Sequence, residues 1–342
     1  MDFATLPDLT QLIDRLHGQR VLHIGHTDAD CDAFGSAYAM SQVIPGDVGF
    51  AEALKVSALD LAHGLGLTPR INPNPADYDY VLIYDTPTSR LLGVPLPERY
   101  ALFDHHVPNG HRFSQLTSEL APDAEFAWVA PVESTCSLLV ELFMQHDIPI
   151  TRPMGLALAA GLVTDTDWLR LANGDAFGRM ATITRQTGLY LEDVMRVIDN
   201  PHRRAEHRSS VIAALRHVHE HTVGRWGILA TTTDSHDNAF SVLSALSRLP
   251  ADIRVVVFPK HGQQMAMLEC DAALVYETGL DMSAIARKLT DLHPVHVTWG
   301  TPLWGRVILP LDADTLLERS IAAVVQALET PAYPPACWSA GA

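Results

Sequence analysis

The sequence predicts an α/β protein: a parallel-sheet domain followed by a smaller α/β domain, the two joined by a helical linker. Three observations carry this prediction. Short, apolar, β-rich runs end in polar or charged clusters, and stretches suited to helices alternate with them. A chain of 342 residues also exceeds what one hydrophobic core usually serves, so two domains are expected.

Residues 21–26 (VLHIGH), 80–85 (YVLIYD) and 99–104 (RYALFD) read as buried strands, because each is apolar almost throughout and stops at a charged cluster. Helices are expected over 35–43 and over 133–145, the latter with Ser134 or Thr135 placed to cap its start. Residues 153–163 (PMGLALAAGLV) form an Ala-rich helix with Pro153 near its beginning, running into the acidic cluster TDTD at 164–167. Residues 191–225 are polar and helical with one break at Asn200-Pro201, and read as the linker. Beyond them, 226–233, 253–260 and 264–272 read as strands and 281–292 as a helix. The expected organisation is a first domain over 1–190, the linker over 191–225, a second domain over 226–330, and a Pro- and Ala-rich tail over 331–342.

The composition, 47% apolar and 19% charged, is that of a globular protein, and no run of about 18 apolar residues suggests a membrane span. The N-terminal segment lacks the pattern of a secretory signal, so a cytoplasmic location is expected. Cys31, Cys136, Cys270 and Cys337 lie far apart with no CxxC pair, which argues against a disulfide framework and a structural zinc site. A formal charge of −16 disfavours long duplex nucleic acid, whose binding needs many Lys and Arg to displace counterions. A phosphate-bearing partner is therefore expected to be small or gripped locally. A homodimer is compatible with the composition.

The segment 26–36 (HTDADCDAFGS) places one imidazole and three carboxylates directly after a predicted strand. Such a density of carboxylates is electrostatically costly unless cations neutralise it. On an extended loop, Asp28, Asp30 and Asp32 would share one face; an acidic helix cap is the competing reading. Asp85, the run Asp104-His105-His106, and Asp165 with Asp167 add donors at the ends of three further elements. In parallel sheets ligands collect beyond the carboxyl ends of the strands, where these clusters fall. An oxygen-rich set with few imidazoles and no thiolate suits Mn²⁺ or Mg²⁺ better than Zn²⁺. Two such ions about 3.5–4 Å apart would clamp a phosphoryl group for in-line hydrolysis.

On these residues the sequence resembles the DHH phosphoesterase family, named for the Asp-His-His that stands here at 104–106. Four ordered motifs match it: HTDADCDAFGS (26–36), YDTPTSRLLG (84–93), FDHH (103–106) and GLVTDTDWLR (161–170). The second domain is similar in position and pattern to the DHH-associated domain of the branch containing RecJ-like nucleases, nanoRNases, phosphoadenosine phosphatases and cyclic dinucleotide phosphodiesterases. The resemblance implies two Mn²⁺, with Mg²⁺ as the alternative. His26, Asp30 and Asp85 would hold the first ion, and Asp32, Asp85, His105 and Asp165 the second. Asp85 would bridge them. His106 would face the phosphate, oriented by Asp104, and Arg90 and Arg170 match basic positions of the motifs.

Three departures stand out. Asp28-Ala29 replaces the family's usual Asn-Pro, and Asp167 replaces a Gly. The glycine-rich loop expected near the nucleotide is HPVHVTWGTPLWGRV (293–307) instead, leaving Gly300, Gly305 and two indoles, Trp299 and Trp304. His293 and His296 are the candidate substrate contacts there. Together these imply a metal-dependent phosphodiesterase or phosphatase acting on small nucleotides such as short oligonucleotides, cyclic dinucleotides or phosphoadenosine phosphate. The alternatives are a pyrophosphatase or exopolyphosphatase-like hydrolase, and a catalytically silent nucleotide-binding module.

Overall fold

A computed structural model describes residues 6–107, 118–198, 201–260, 262–290 and 297–329. The chain divides into two compact units, Met1–Pro201 and His202–Ala342.

The first unit runs α1 (Leu9–Leu16), β1 (Val21–Gly25), α2 (Cys31–Ser41), β2 (Asp47–Phe50), α3 (Val56–Gly64), β3 (Arg70–Ile71), β4 (Tyr80–Tyr84), α4 (Ser89–Leu92), β5 (Tyr100–Asp104), β6 (Phe126–Val129), α5 (Thr135–Gln145), α6 (Arg152–Asp165), α7 (Gly174–Thr187) and α8 (Leu191–Ile198). Its six strands lie in the order β3-β2-β1-β4-β5-β6, and every adjacent pair is parallel. The chain starts at the centre, winds outward through β2 and β3, then returns to β4 on the other side of β1. That reversal opens a crevice at the carboxyl ends of β1 and β4, the position where such sheets bind ligands.

The central strands β1, β4 and β5 are buried at every residue, as strands covered on both faces require. Even His23 inside β1 is fully buried. Its Nδ1 meets the Tyr84 hydroxyl at 2.9 Å and its Nε2 meets the Ile44 carbonyl at 2.9 Å, so both ring nitrogens are satisfied. Burial pushes its pKa down to about 4, which keeps it neutral.

Helix α2 is buried along Cys31–Met40 because α5 and α6 press on it. Glycines permit the approach: a Cβ at Gly35 would meet the Ala157 carbonyl oxygen at 2.5 Å, and one at Gly161 would meet Cys136 Sγ at 2.4 Å and Asp32 Oδ1 at 2.8 Å. The start of α5 is tied to α7 by Arg179, whose Nη1 donates to Glu133 at 2.6 Å and whose Nε donates to Glu141 at 2.8 Å.

The second unit contains α9 (Pro201–Arg216), which begins at the boundary, then β7 (His219–Val223), β8 (Trp226–Thr232), α10 (His236–Leu246), β9 (Ile253–Lys260), β10 (Gln263–Cys270), α11 (Ala272–Thr278), α12 (Met282–Thr290), β11 (Val297–Thr301), β12 (Trp304–Leu309) and α13 (Ala313–Glu329). Its strands lie in the order β11-β12-β10-β9-β8-β7. β8 and β9 are parallel and the other pairs antiparallel. Arg254 is buried in β9, where Glu269 at 3.3 Å and Asp271 at 2.6 Å pair with it.

The strands and helices expected around the acidic clusters are present, with α2 beginning four residues earlier than 35. Within 191–225 the structure holds more than a helical linker. Val194 and Ile198 of α8 are buried in the core of the first unit, and β7 pairs with β8. Of the altered loop expected over 293–307, the residues from Val297 onward belong to the β11–β12 hairpin, which ends at Leu309. Gly305 serves packing there, since a Cβ on it would meet the Met282 carbonyl oxygen at 2.3 Å. The Trp304 ring lies under the Arg306 guanidinium at 4.8 Å. His293, His296, the side chain of Trp299 and the tail 331–342 lie outside the described residues. No helix among the described residues is long and apolar enough to cross a membrane.

Candidate metal centre

The site is assembled from the residues that follow β1 and β4, the end of β5, and the facing ends of α2 and α6. His26 follows β1 directly. Asp30 is the N-cap of α2, where its Oδ1 accepts the N–H groups of Asp32 at 3.1 Å and Ala33 at 3.4 Å. Asp32 sits in the first turn of that helix, fully buried. Because the helix starts at Cys31, the stretch 28–32 is not an extended loop, and the expectation that Asp28 shares a face with Asp30 and Asp32 is corrected: Asp28 is exposed. The cap reading and the cluster reading both apply to Asp30.

Asp85 follows β4 with φ +51°, a left-handed conformation that Asp adopts more readily than most residues. Its N–H donates to the Phe103 carbonyl at 2.9 Å. Asp28 (φ +58°) and Asp167 (φ +48°), two of the departures from the family motifs, also occupy the left-handed region. Asn or Gly suits such positions, and Asp can serve there.

Three groups of donors converge, each with its ligand atoms within 4.8 Å of one another: His26, Asp30 and Asp85; Asp32, His105 and Asp165; and Asp85, His105 and His106. His26 Nε2 lies 3.4 Å from Asp85 Oδ2 and 3.8 Å from Asp30 Oδ1. His105 Nε2 lies 3.2 Å from Asp85 Oδ1 and 3.6 Å from Asp165 Oδ2. Asp85 thus touches both halves of the cluster.

The two imidazoles are held alike. His26 Nδ1 meets the Thr27 carbonyl at 2.6 Å and His105 Nδ1 meets the Val132 carbonyl at 3.2 Å. A carbonyl can only accept, so Nδ1 carries the hydrogen in both rings and Nε2 is turned to the carboxylates. Metal-ligating histidines are commonly oriented in this way.

The charges bear out the strain of the cluster. Burial works against the charged forms of His26 and His105. The Asp30 and Asp85 carboxylates outweigh it at His26, and Asp85, Asp165 and Asp32 do so at His105, holding both pKa values well above the ordinary imidazole range. Burial pushes Asp32 up to about 6, aided by the charge of Asp85. Burial and the charges of Asp32 and Asp30 hold Asp165 well above the carboxylate range. Burial also opposes ionisation of Asp85 and Asp30, yet His105 and His26 keep Asp85 low, and Lys55 and His26 keep Asp30 low. The cluster thus crowds four carboxylates against too little positive charge, and Asp32 and Asp165 bind protons more tightly than an ordinary carboxylate does.

Asp104 is fully buried at the end of β5. Its Oδ1 accepts from the His106 N–H at 3.3 Å and meets the His106 ring Nδ1 at 2.7 Å. This places a hydrogen on Nδ1 and turns Nε2 away from Asp104. Arg170 pairs with Asp167 at 2.9 Å on a partly exposed turn, and Arg90 is exposed on α4. Neither belongs to the three donor groups.

Two residues of the site escaped notice in the sequence. Lys55 Nζ lies 3.3 Å from Asp30 Oδ2, brought there by a backbone bond from its N–H to the Ala29 carbonyl at 2.8 Å. For Thr135 the sequence suggests only a helix cap, a task that Ser134 performs. Its N–H donates to Asp32 Oδ2 at 2.7 Å and its hydroxyl reaches Asp85 Oδ1 at 3.4 Å. No local motif announces either contact.

No family model matches the chain. Two uncharacterized proteins of Methanocaldococcus jannaschii are similar in sequence. One is 29% identical over 178 residues, 49% of this chain and 51% of the relative. The other is 26% identical over 161 residues, 44% of this chain and 31% of the relative. The match thus spans about half of the first relative and about a third of the second. Among solved structures, an exopolyphosphatase-related protein from Bacteroides fragilis shares the fold, with a TM-score of 0.71 over 95% of this chain and 97% of that chain at 13% identity.

Proposed function

We propose that the protein is a metal-dependent phosphoesterase of the DHH type, acting on phosphodiester or phosphomonoester bonds of small nucleotides. The observation that carries this reading is the convergence of His26, Asp30 and Asp85 with Asp32, His105 and Asp165, with both imidazoles pinned through Nδ1. The donor set fits hard divalent cations. It is made of carboxylate oxygens and imidazole nitrogens, and the thiols beside it are poor ligands, burial having pushed Cys31 up to about 12 and Cys136 well above the thiol range. His26, Asp30 and Asp85 would hold one Mn²⁺ or Mg²⁺, and Asp32, Asp85, His105 and Asp165 a second.

Bound ions of this kind supply Lewis acidity and positive charge at a phosphoryl group. The chain's own residues supply the rest. Asp104 accepts the Nδ1 hydrogen of His106, so it is the doubly protonated imidazolium, its charge balanced by Asp104, that carries an Nε2 hydrogen to deliver to the departing oxygen, leaving the neutral ring behind. Arg90 and Arg170 lie on the two segments that carry Asp85 and Asp165, and are the proposed phosphate contacts. The net charge of −16 favours short substrates over long polyanions.

The test is hydrolysis of bis-nitrophenyl phosphate and of a panel containing dinucleotides, longer oligonucleotides, cyclic dinucleotides, phosphoadenosine phosphate and pyrophosphate, with and without Mn²⁺. Mn²⁺-dependent release from the diester and at least one small nucleotide is expected. A folded, Mn²⁺-loaded preparation that turned over no member would refute the enzyme reading, and turnover of pyrophosphate alone would replace the substrate class.

A further inference from the structure

We infer that Thr135 is a positioning residue that couples the two halves of the metal centre. The inference rests on the two-ion reading of the site.

The first N–H groups of an α-helix have no partner within the helix. In α5 those of Thr135 and Cys136 are given to one side chain: Thr135 N–H to Asp32 Oδ2 at 2.7 Å and Cys136 N–H to Asp32 Oδ1 at 2.8 Å. Asp32 is thereby gripped at both oxygens, with the positive end of the helix facing its charge. Each oxygen keeps a lone pair for a further partner. The cap of α5 is made separately, by Ser134 Oγ accepting the Ser137 N–H at 3.0 Å, so Thr135 is not needed to start the helix.

The hydroxyl of Thr135 is used differently. The side chain is fully buried, so its O–H needs a partner. It donates to Asp85 Oδ1 at 3.4 Å, the same oxygen that His105 Nε2 approaches at 3.2 Å. One residue therefore fixes Asp32, a donor of one group, through its backbone, and Asp85, the carboxylate both groups touch, through its side chain. The hydroxyl holds Asp85 in the rotamer that points one oxygen at His105 and the other at His26.

The test compares Mn²⁺ binding to the full-length wild-type chain and to Thr135→Val, Thr135→Ala and Thr135→Ser. Free Mn²⁺ is followed by electron paramagnetic resonance, and metal-free melting is recorded in parallel. All variants retain the N–H, Thr135→Val keeps the shape, and Ala and Ser differ only in the hydroxyl. The Asp85 contact is long for a hydroxyl donor, so the lower end of the usual outer-shell effect applies: about 10-fold weaker Mn²⁺ binding in Thr135→Val and Thr135→Ala, with Thr135→Ser within about twofold of wild type. Equal Mn²⁺ affinity in Ala and Ser would overturn the inference, since packing alone would then account for the residue, and that comparison stands even where Thr135→Val fails to fold. Wild-type protein that binds no Mn²⁺ would overturn the reading of the site, and this inference with it.

Discussion

His106 is held by a carboxylate that has no exposure to water, and that single contact decides which of its nitrogens can act. Its Nδ1 also lies 3.6 Å from Asp85 Oδ1, close enough for the ring to border the cluster. Replacing His106 by Ala is expected to leave Mn²⁺ content near the wild-type level while lowering kcat by about 10²–10⁴-fold, the usual size of general acid catalysis. Elemental analysis beside steady-state kinetics checks this; a loss of metal equal to the loss of rate would make His106 a ligand instead. At this scale the sequence was informative where donors fall in short runs, as in 26–32 and 104–106. Thr135 and Lys55 were not legible, because their contacts join positions 103 and 25 residues apart. Asp28 was misplaced for a local reason: α2 starts at Cys31, so alternation along an extended loop does not apply.

The helices α2, α5 and α6 form the tight element of the site, and two glycines permit it. Gly161 lets α6 pass against Asp32, and a methyl group there would meet Asp32 Oδ1 at 2.8 Å and its Cα at 2.9 Å. Gly161→Ala is expected to cost about 1–3 kcal/mol of stability through overpacking, and to weaken Mn²⁺ binding by displacing Asp32. Gly178 is the contrasting case, exposed in the middle of α7 with nothing within 4 Å of a built Cβ. Gly178→Ala is expected to stabilise by about 0.5–1 kcal/mol, because only the helix preference changes. Chemical denaturation of both variants settles the signs; a neutral Gly161→Ala would show that α6 can shift without consequence. The strands that end in acidic clusters were legible as continuous apolar runs. β2, β3 and β6 were not, since segments of 4, 2 and 4 residues carry no measurable periodicity. The β11–β12 hairpin was missed because Gly300, Pro302 and Gly305 interrupt the run with residues that usually mark loops.

For the molecule as a whole, the cluster makes stability depend on pH and on metal together. His26 and His105 have pKa values raised above the ordinary 6.5, so in the metal-free protein their contribution is complete below that value and is lost as pH rises. Asp32, raised from 3.8 to about 6, and Asp165, held well above the carboxylate range, also bind protons more tightly when folded, so their contribution likewise falls as pH rises. Metal-free protein should therefore melt lower at about pH 8 than at about pH 6. Mn²⁺ competes with those same protons, so it should raise the melting temperature more at the higher pH, and ions at 100 times their Kd would add about 2.7 kcal/mol per site. Thermal melts with chelator and with Mn²⁺ at the two pH values test this, and an equal or larger Mn²⁺ effect at the lower pH would count against proton competition. The α/β class and the strands that lead into the acidic clusters were readable from the chain, and the parallel sheet with its reversal at β1 and β4 explains why separated motifs meet. The second unit carries the least of the proposed chemistry. The measurement that bears most directly on the account is Mn²⁺ content of wild-type protein and of Asp85→Asn after equilibrium dialysis. Two ions per chain in the wild type and loss of both in Asp85→Asn are expected; two ions retained by Asp85→Asn would contradict a shared carboxylate at the centre of the site.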